Sequence, residues 1–355
     1  RLIAKCDNGT CKCVKGLPKK VLIGYWGTNS SPDLIKAIEI GKYNVIMFTF
    51  GKVTHDGKFI WCNNKNTNLI NISNFCGNIA FTYPSEEVIK YLTKNNIPSF
   101  ISLFGAAGAA PNKYSYTPSK WATEVIKHLR EQYSWITGID IDLENAWGSN
   151  KTTEYIYALI LEAKKQNYYT SMAPQTTSLD PTVSVFTLNG GGANGYFAFV
   201  TGNNINNWDL ICPQLYNNAY AGGNDTSNAL TYGRSLLGKT ILKYEGSLSG
   251  ASWENGLVNG NFEIQIPLNK LVLGFPASGC ACHDGCSKSA RGETTNTCTP
   301  HIDYKTPDII KNIYNNLQLR GIMTWSIGWD YSQGKTDDDN NTYKFGKGVS
   351  KFLGL

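Results

Sequence analysis

The sequence predicts a single (β/α)8 TIM barrel, an α/β fold with a parallel eight-stranded core and disulfide-bearing loops. Three observations carry that expectation. Eight short apolar runs recur along the 355 residues. Most are apolar throughout rather than alternating, as strands buried on both faces read. Helix-start signals fall between them, and strands alternating with helices imply parallel βα units, eight of which close a barrel. No G-x-G-x-x-G follows the first run, so a dinucleotide-binding open sheet has no support.

In order, the expected strands are Val21–Trp26, Asn44–Phe50, Pro98–Leu103, Ile136–Asp142, Tyr169–Ala173, Asp209–Tyr216, Leu271–Phe275 and Gly321–Ser326. Ser31-Pro32-Asp33 opens a helix, with a capping residue beside a proline. Pro84-Ser85-Glu86-Glu87 opens another, and Thr117-Pro118-Ser119 a third that runs to about Tyr133. Thr152–Gln166 carries Tyr155, Ile156, Leu159, Ile160 and Ala163 at helical spacing. Thr306-Pro307-Asp308 starts the helix before the last strand, and Phe345–Leu353 reads as the closing helix. No linker, internal repeat or low-complexity stretch divides the chain. Residues 1–20 are expected to form a cysteine-bearing N-terminal arm, and residues 21–355 one catalytic domain.

Composition narrows the class. A hydrophobic fraction of 41% with 17% charged residues excludes a disordered chain. No apolar run approaches the ~18–20 residues of a membrane-spanning helix, so no membrane partner is expected. The net charge of +6 is spread along the chain without a basic cluster, so no nucleic acid is expected either. The ten cysteines fall in local groups, including Cys280, Cys282 and Cys286. No C-x-x-C pair accompanies them, which favours loop disulfides over zinc, even with His283 and His301 nearby. Cys212 lies inside the sixth strand and reads as a free buried thiol. Six Asn-x-Ser/Thr sequons, including Asn29 and Asn150 near the expected groove, fit a secreted, extracellular protein. The chain begins at Arg1 and reads as a mature or trimmed chain, and a monomer is expected.

The chemistry is concentrated in Thr137-Gly138-Ile139-Asp140-Ile141-Asp142-Leu143-Glu144. Alternation on a strand puts Asp140, Asp142 and Glu144 on one face and the aliphatics on the other. The helix-facing side of a barrel must be apolar, so the carboxylates point inward, about 6–7 Å apart at Cα and rising toward the C-terminal mouth. Crowded like charges raise one another's pKa, so at least one acid holds a proton near neutral pH. Glu144, outermost and longest, is the expected general acid, with Asp142 sharing or relaying the proton.

This motif resembles the fourth-strand signature of glycoside hydrolase family 18, the chitinase family, which reads Asp-Gly-x-Asp-x-Asp-x-Glu; Thr137 replaces its first Asp. Further landmarks follow in order: Gly24-Tyr25-Trp26, Met172-Ala173-Pro174-Gln175, Gln214-Leu215-Tyr216-Asn217, and Gly321-Ile322-Met323-Thr324-Trp325-Ser326 with Trp329-Asp330. At the third strand the family's Ser-x-Gly-Gly reads Ser102-Leu103-Phe104-Gly105, so Phe104 departs from it. The resemblance implies hydrolysis of chitin or N-acetylglucosamine oligosaccharides by a retaining, substrate-assisted route. The 2-acetamido oxygen attacks the anomeric carbon, Glu144 protonates the leaving oxygen, and an oxazolinium intermediate forms. Asp142 turns from Asp140 to the acetamido N–H, and Tyr216 donates to the acetamido oxygen, with Gln214 and Asn217 nearby. Trp325 is the implied sugar platform, with Tyr25 and Phe50 lining the same subsite and Met172 in its wall. Trp26, Trp147 and Trp253 are candidates for outer subsites, Trp121 and Trp135 for the core, and Asp209 and Asp330 for structural roles.

No cofactor or metal is needed for that route. Only 29 residues separate Pro276 from Thr306. That is too few for the large α+β insertion of some family members, so an open groove and endo cleavage are expected. Two alternatives share the pattern: an endo-β-N-acetylglucosaminidase acting on N-glycans, and a non-catalytic chitin-binding lectin. The lectin reading is opposed by the presence of both Glu144 and Asp142.

Overall fold

A computed structural model describes residues 2–7, 10–27, 32–61, 82–105, 108–144, 152–179, 195–200, 202–217, 227–238, 240–244, 260–278, 281, 304–332 and 342–355. The chain opens with an antiparallel pair, β1 (Leu2–Asp7) and β2 (Thr10–Lys15), in which Cys6 stands opposite Cys11. This pair is separate from the barrel that follows.

The barrel strands are β3 (Val21–Trp26), β4 (Val45–Val53), β6 (Ser99–Phe104), β7 (Gly138–Asp142), β8 (Tyr169–Met172), β9 (Leu210–Ile211), β12 (Val272–Pro276) and β13 (Gly321–Trp325). They pair in parallel in chain order, with β13 returning to β3. Isolated parallel bridges Ile211↔Leu271 and Gln214↔Gly274 join β9 to β12 and complete the ring. A short β5 (Phe59–Trp61) folds back antiparallel on β4.

The helices begin where the sequence places caps. Asp33 Oδ1 accepts from the amides of Ile35 at 2.9 Å and Lys36 at 3.3 Å, opening α1 (Leu34–Gly41). Ser85 caps α2 (Glu86–Lys94) through the Val88 amide, and Pro118 begins α3 (Pro118–Gln132). In α4 (Thr152–Lys165) the stripe Tyr155, Ile156, Leu159, Ile160 and Ala163 is buried. Then come α5 (Gly195–Val200), α6 (Ser227–Leu237), α7 (Pro307–Leu317, capped by Thr306), α8 (Ile327–Ser332) and α9 (Lys344–Leu353). No helix among the described residues is long and apolar enough to cross a membrane.

Two features depart from the sequence reading. The sixth strand, expected over Asp209–Tyr216, pairs continuously only at Leu210–Ile211 and goes on as single bridges. Pro213 has no N–H to give to the ladder; its carbonyl still accepts from the Gly274 amide at 2.9 Å. Between the sixth and seventh barrel strands an unanticipated antiparallel pair forms, β10 (Thr240–Tyr244) with β11 (Gly260–Ile264). The loop after β12 that carries most of the clustered cysteines, His283 and His301 lies almost wholly outside the described residues. So do Trp147, Trp253, Asn29 and Asn150.

The core has two layers, and strand parity sorts residues between them. Ile101, Leu103, Ile139, Ile141, Leu273 and Ile322 face the helices. Ile23, Tyr25, Met47, Phe100, Cys212 and Met323 fill the barrel. Gly138 is dictated by this filling, because a Cβ there would lie 2.4 Å from the Phe100 ring. Trp121 and Trp135 pack in the outer layer as expected. Trp26 joins them instead of a sugar subsite, its indole N–H donating to the Pro32 carbonyl at 3.0 Å.

Candidate active site

The acids of β7 stand as the alternation requires. Asp140 is 0% and Asp142 4% exposed, whereas Glu144, past the strand end, is half-buried. Burial therefore falls toward the C-terminal mouth. Asp140 Oδ2 accepts from Ser102 Oγ at 2.7 Å and Tyr25 Oη at 2.8 Å. Asp142 Oδ1 accepts from Gln214 Nε2 at 2.8 Å, and the same amide nitrogen donates to the Ala173 carbonyl at 2.9 Å. Asp142 also shares a side-chain hydrogen bond with Glu144.

These contacts set the protonation. Burial raises the pKa of Asp140 against the hydrogen bonds from Ser102 and Tyr25. Asp142 is driven well above the ordinary carboxylate range, first by burial and then by the charges of Glu144 and Asp140. Of the two buried acids, Asp142 is the one pushed furthest toward its protonated form. Burial and the Asp140 and Asp142 charges also push Tyr25 far up, so its hydroxyl remains a donor.

Thr137, standing where the resemblance places a first acid, ties β7 to the base of β6. Its hydroxyl accepts from the Ser99 amide at 2.9 Å and donates to the Ser99 carbonyl at 3.2 Å. Phe104 adopts φ 84°, a left-handed conformation that favours glycine, while its ring packs in the outer layer. Gly105 follows at φ 71°, and a Cβ there would lie 2.6 Å from the Phe50 ring.

Three aromatic residues gather beside the acids. Phe50 stacks on Trp325 at 6.0 Å between ring centroids and 17° between planes, and Tyr25 leans on Trp325 at 5.7 Å. Tyr25 and Phe50 are buried; Trp325 is partly open. Tyr216 is buried with its hydroxyl 4.0 Å from Met323 Sδ inside the barrel. Asn217, next in the chain, is exposed in a left-handed conformation at the rim.

Met172 does not join this group. It is paired in register with Ile141 and buried between barrel and helices, so the substrate wall it was expected to form is not where it lies. Its neighbours Ser171 and Ala173 have the inward parity. Cys212 is a free buried thiol in the barrel, 3.7 Å from Ser171 Oγ, and burial followed by the Asp140 charge raises its pKa strongly. Sequence reasoning missed Ser102 as a partner of Asp140, Ala173 as the brace of Gln214, and Tyr196. The Tyr196 hydroxyl accepts from the Leu143 amide at 2.6 Å and donates to the Ile141 carbonyl at 3.1 Å. Parity beside the acid strand could have found Ser102; nothing local marks Tyr196.

Beyond Phe50 and Gly105 in the chain, the two rim segments line an open hollow of about 440 Å³. It is lined by Lys52, Val53, His55 and the stretch from Ala109 to Lys113.

A parallel barrel with a graded row of carboxylic acids and an aromatic platform at its mouth defines a glycoside hydrolase. No family model matches the chain. A protein named chitinase from Enterococcus faecalis is 29% identical over 336 residues, covering 89% of this chain and 83% of its own length. Endochitinase 4 of Metarhizium robertsii is 25% identical, covering 95% and 92%. Among solved structures, a family GH18 chitinase from Chromobacterium violaceum superposes with a TM-score of 0.61 at 18% identity, covering 98% of this chain and 87% of that one. The barrel and the relatives named chitinase support a glycoside hydrolase of the family 18 type.

Proposed function

We propose that the protein is a secreted, monomeric endo-chitinase that cuts β-1,4 linkages between N-acetylglucosamine units, with residues 21–355 as its catalytic domain and residues 1–20 as an appended arm. The observation that carries this reading is the one-sidedness of the acids. The carboxylates acting on Asp142 among the described residues are Asp140, from its own strand, and Glu144, two residues beyond it in the chain. Glycosidases that use two protein carboxylates set them on opposite sides of the scissile bond. A one-sided row leaves the nucleophile to the substrate, and the 2-acetamido group of an N-acetylated sugar can serve.

In the proposed sequence the reacting sugar rests on Trp325, with Phe50 and Tyr25 fixing that ring. Asp142, which the resemblance has turning from Asp140, is already bonded to Glu144; it accepts from the acetamido N–H, and the proton it shares passes to Glu144. The acetamido oxygen bonds to C1 as the C1–O bond to the leaving sugar breaks, and Glu144 delivers its proton to the departing oxygen. Tyr216 donates to the acetamido oxygen, whose carbon acquires positive charge in the oxazolinium ion. Water then adds to C1 from the face the leaving group occupied and gives a proton to Glu144, as the C1–acetamido oxygen bond breaks and the 2-acetamido group is restored. The β configuration is retained. Gln214 steadies Asp142, and Asn217 flanks the site from the rim. All protons move between side chains, water and substrate, so the route requires no cofactor. Relatives bearing the name endochitinase support mid-chain cutting.

The test is a product assay by mass spectrometry, with Glu144→Gln as control. Conversion of the N-acetylglucosamine hexamer to dimers, trimers and tetramers by the wild type alone is expected. Release of glycan from a high-mannose glycoprotein with the hexamer left intact would overturn the reading in favour of an endo-β-N-acetylglucosaminidase.

A further inference from the structure

The acid strand ends where precision matters most. β7 stops at Asp142, and Glu144 lies beyond the last paired residue. Two peptide groups around Asp142 are held by neighbouring strands: the Asp142 carbonyl accepts from the Gly105 amide at 2.8 Å, and the Ile141 carbonyl from the Ala173 amide at 2.9 Å. The Leu143 amide, between the two acids, is taken by Tyr196. The same hydroxyl donates to the Ile141 carbonyl, so one oxygen bridges the backbone on both sides of Asp142. Tyr196 is 2% exposed, and its ring meets Phe199 edge-on at 6.2 Å.

We propose that Tyr196 is a positioning residue for the hydrolysis described above: its hydroxyl extends the ladder of β7 by one rung and holds Asp142 and Glu144 in reacting register. The proposal rests on the acid roles assigned there. A hydroxyl suits the task because it donates and accepts at one atom. Without it, Leu143 would lack this partner and the Asp142–Glu144 geometry would loosen; small misplacements of reacting groups are costly. Burial, and next the Asp142 charge, raise the Tyr196 pKa far above its ordinary value, so the hydroxyl keeps its proton through the working range.

Tyr196→Phe keeps the ring and removes the bridge. Its natural control is Tyr157→Phe. The Tyr157 hydroxyl is bonded to Asn204 at 2.7 Å and Asn207 at 3.0 Å, and its ring also stacks on Phe199. On the N-acetylglucosamine hexamer, Tyr196→Phe is expected to lower kcat by about tenfold to a hundredfold with KM within about twofold. The alkaline limb of its pH–rate profile is expected to move, while Tyr157→Phe keeps wild-type kcat and pH profile whatever its melting temperature. Wild-type kcat and pH profile in Tyr196→Phe would overturn the proposal even if that variant melts earlier. Should Tyr196→Phe not fold, hydrogen exchange on the wild type decides. The Leu143 amide is expected to be as protected as the Ile141 amide within β7, and fast exchange at Leu143 would overturn the proposal. A wild type inactive on the hexamer would instead sink the chitinase reading, and this proposal with it.

Discussion

Two sets of fully buried carboxylates sit in this barrel, and they are built on opposite principles. Asp330, in α8 just past Trp325, accepts from Tyr43 Oη at 2.6 Å and from the backbone amides of Phe345 and Gly346 at 2.8 and 2.9 Å. Those amides are the first turn of α9, so Asp330 caps that helix from another element and ties the end of the chain to the start of the barrel. Burial raises its pKa to about 6, with the three hydrogen bonds and Lys347 pulling the other way. Asp142 is equally sequestered, yet it has Gln214 as its neutral donor and two carboxylates as neighbours, and its pKa goes well above the normal range. Burial is common to both sites. What differs is the company: donors make a fastener, whereas like charges make a proton store.

The sharpest way to break that contrast is to remove Glu144, the acid proposed to deliver the proton. Glu144→Gln is expected to lower kcat by about a thousandfold or more while circular dichroism and melting temperature stay near wild type. Collapse of the fold in that variant would make Glu144 structural, like Asp330. The reciprocal change is Asp330→Ala, which strands three donors. It is expected to cost about 3 kcal/mol of stability, read from denaturant midpoints, with kcat of the folded protein nearly unchanged.

Asp142→Asn separates the two sites by pH. It removes the shared proton, so kcat is expected to fall about a hundredfold and the alkaline limb of the pH–rate profile to move to lower pH. An unmoved limb would exclude Asp142 from the store. For Asp330 the pH signature lies in stability. Its folded pKa of about 6 exceeds the ordinary 3.8, so its contribution is fully present below pH 3.8 and is lost as pH rises through about 6. That span corresponds to roughly 3 kcal/mol in unfolding free energy, and Asp330→Asn is expected to flatten it. The smallest effect concerns the platform. Gly105→Ala places a methyl group against Phe50, so it is expected to lower kcat/KM for the hexamer about tenfold by tilting the ring stacked on Trp325.

The acid row was legible because a period of two is unambiguous once the strand is known to be buried: Asp140, Asp142 and Glu144 had one face available. Tyr25 and Phe50 were legible from their place at strand ends and Trp325 from the family resemblance, and the three do meet. Met172 shows where that logic stops. A residue in the right motif can have the wrong parity, and its pairing with Ile141 turns it to the helices. The sixth strand was over-extended because an apolar run hides what a missing N–H at Pro213 does to a ladder. Tyr196 was not legible at all. Its partner is 53 residues away, and a lone tyrosine on a short helix carries no local signal. Asp330 stood in a strand-end pattern, but the helix it caps could be known only after folding.

The most direct test of substrate-assisted hydrolysis is the anomeric form of the first product, followed by proton NMR within minutes of adding wild-type enzyme to the N-acetylglucosamine hexamer. Fresh reducing ends in the β form, drifting only later toward the equilibrium mixture, are the expected result. Fresh ends in the α form would mean direct attack by water from the opposite face. The one-sided acid row of β7 would then not be the machinery of this enzyme.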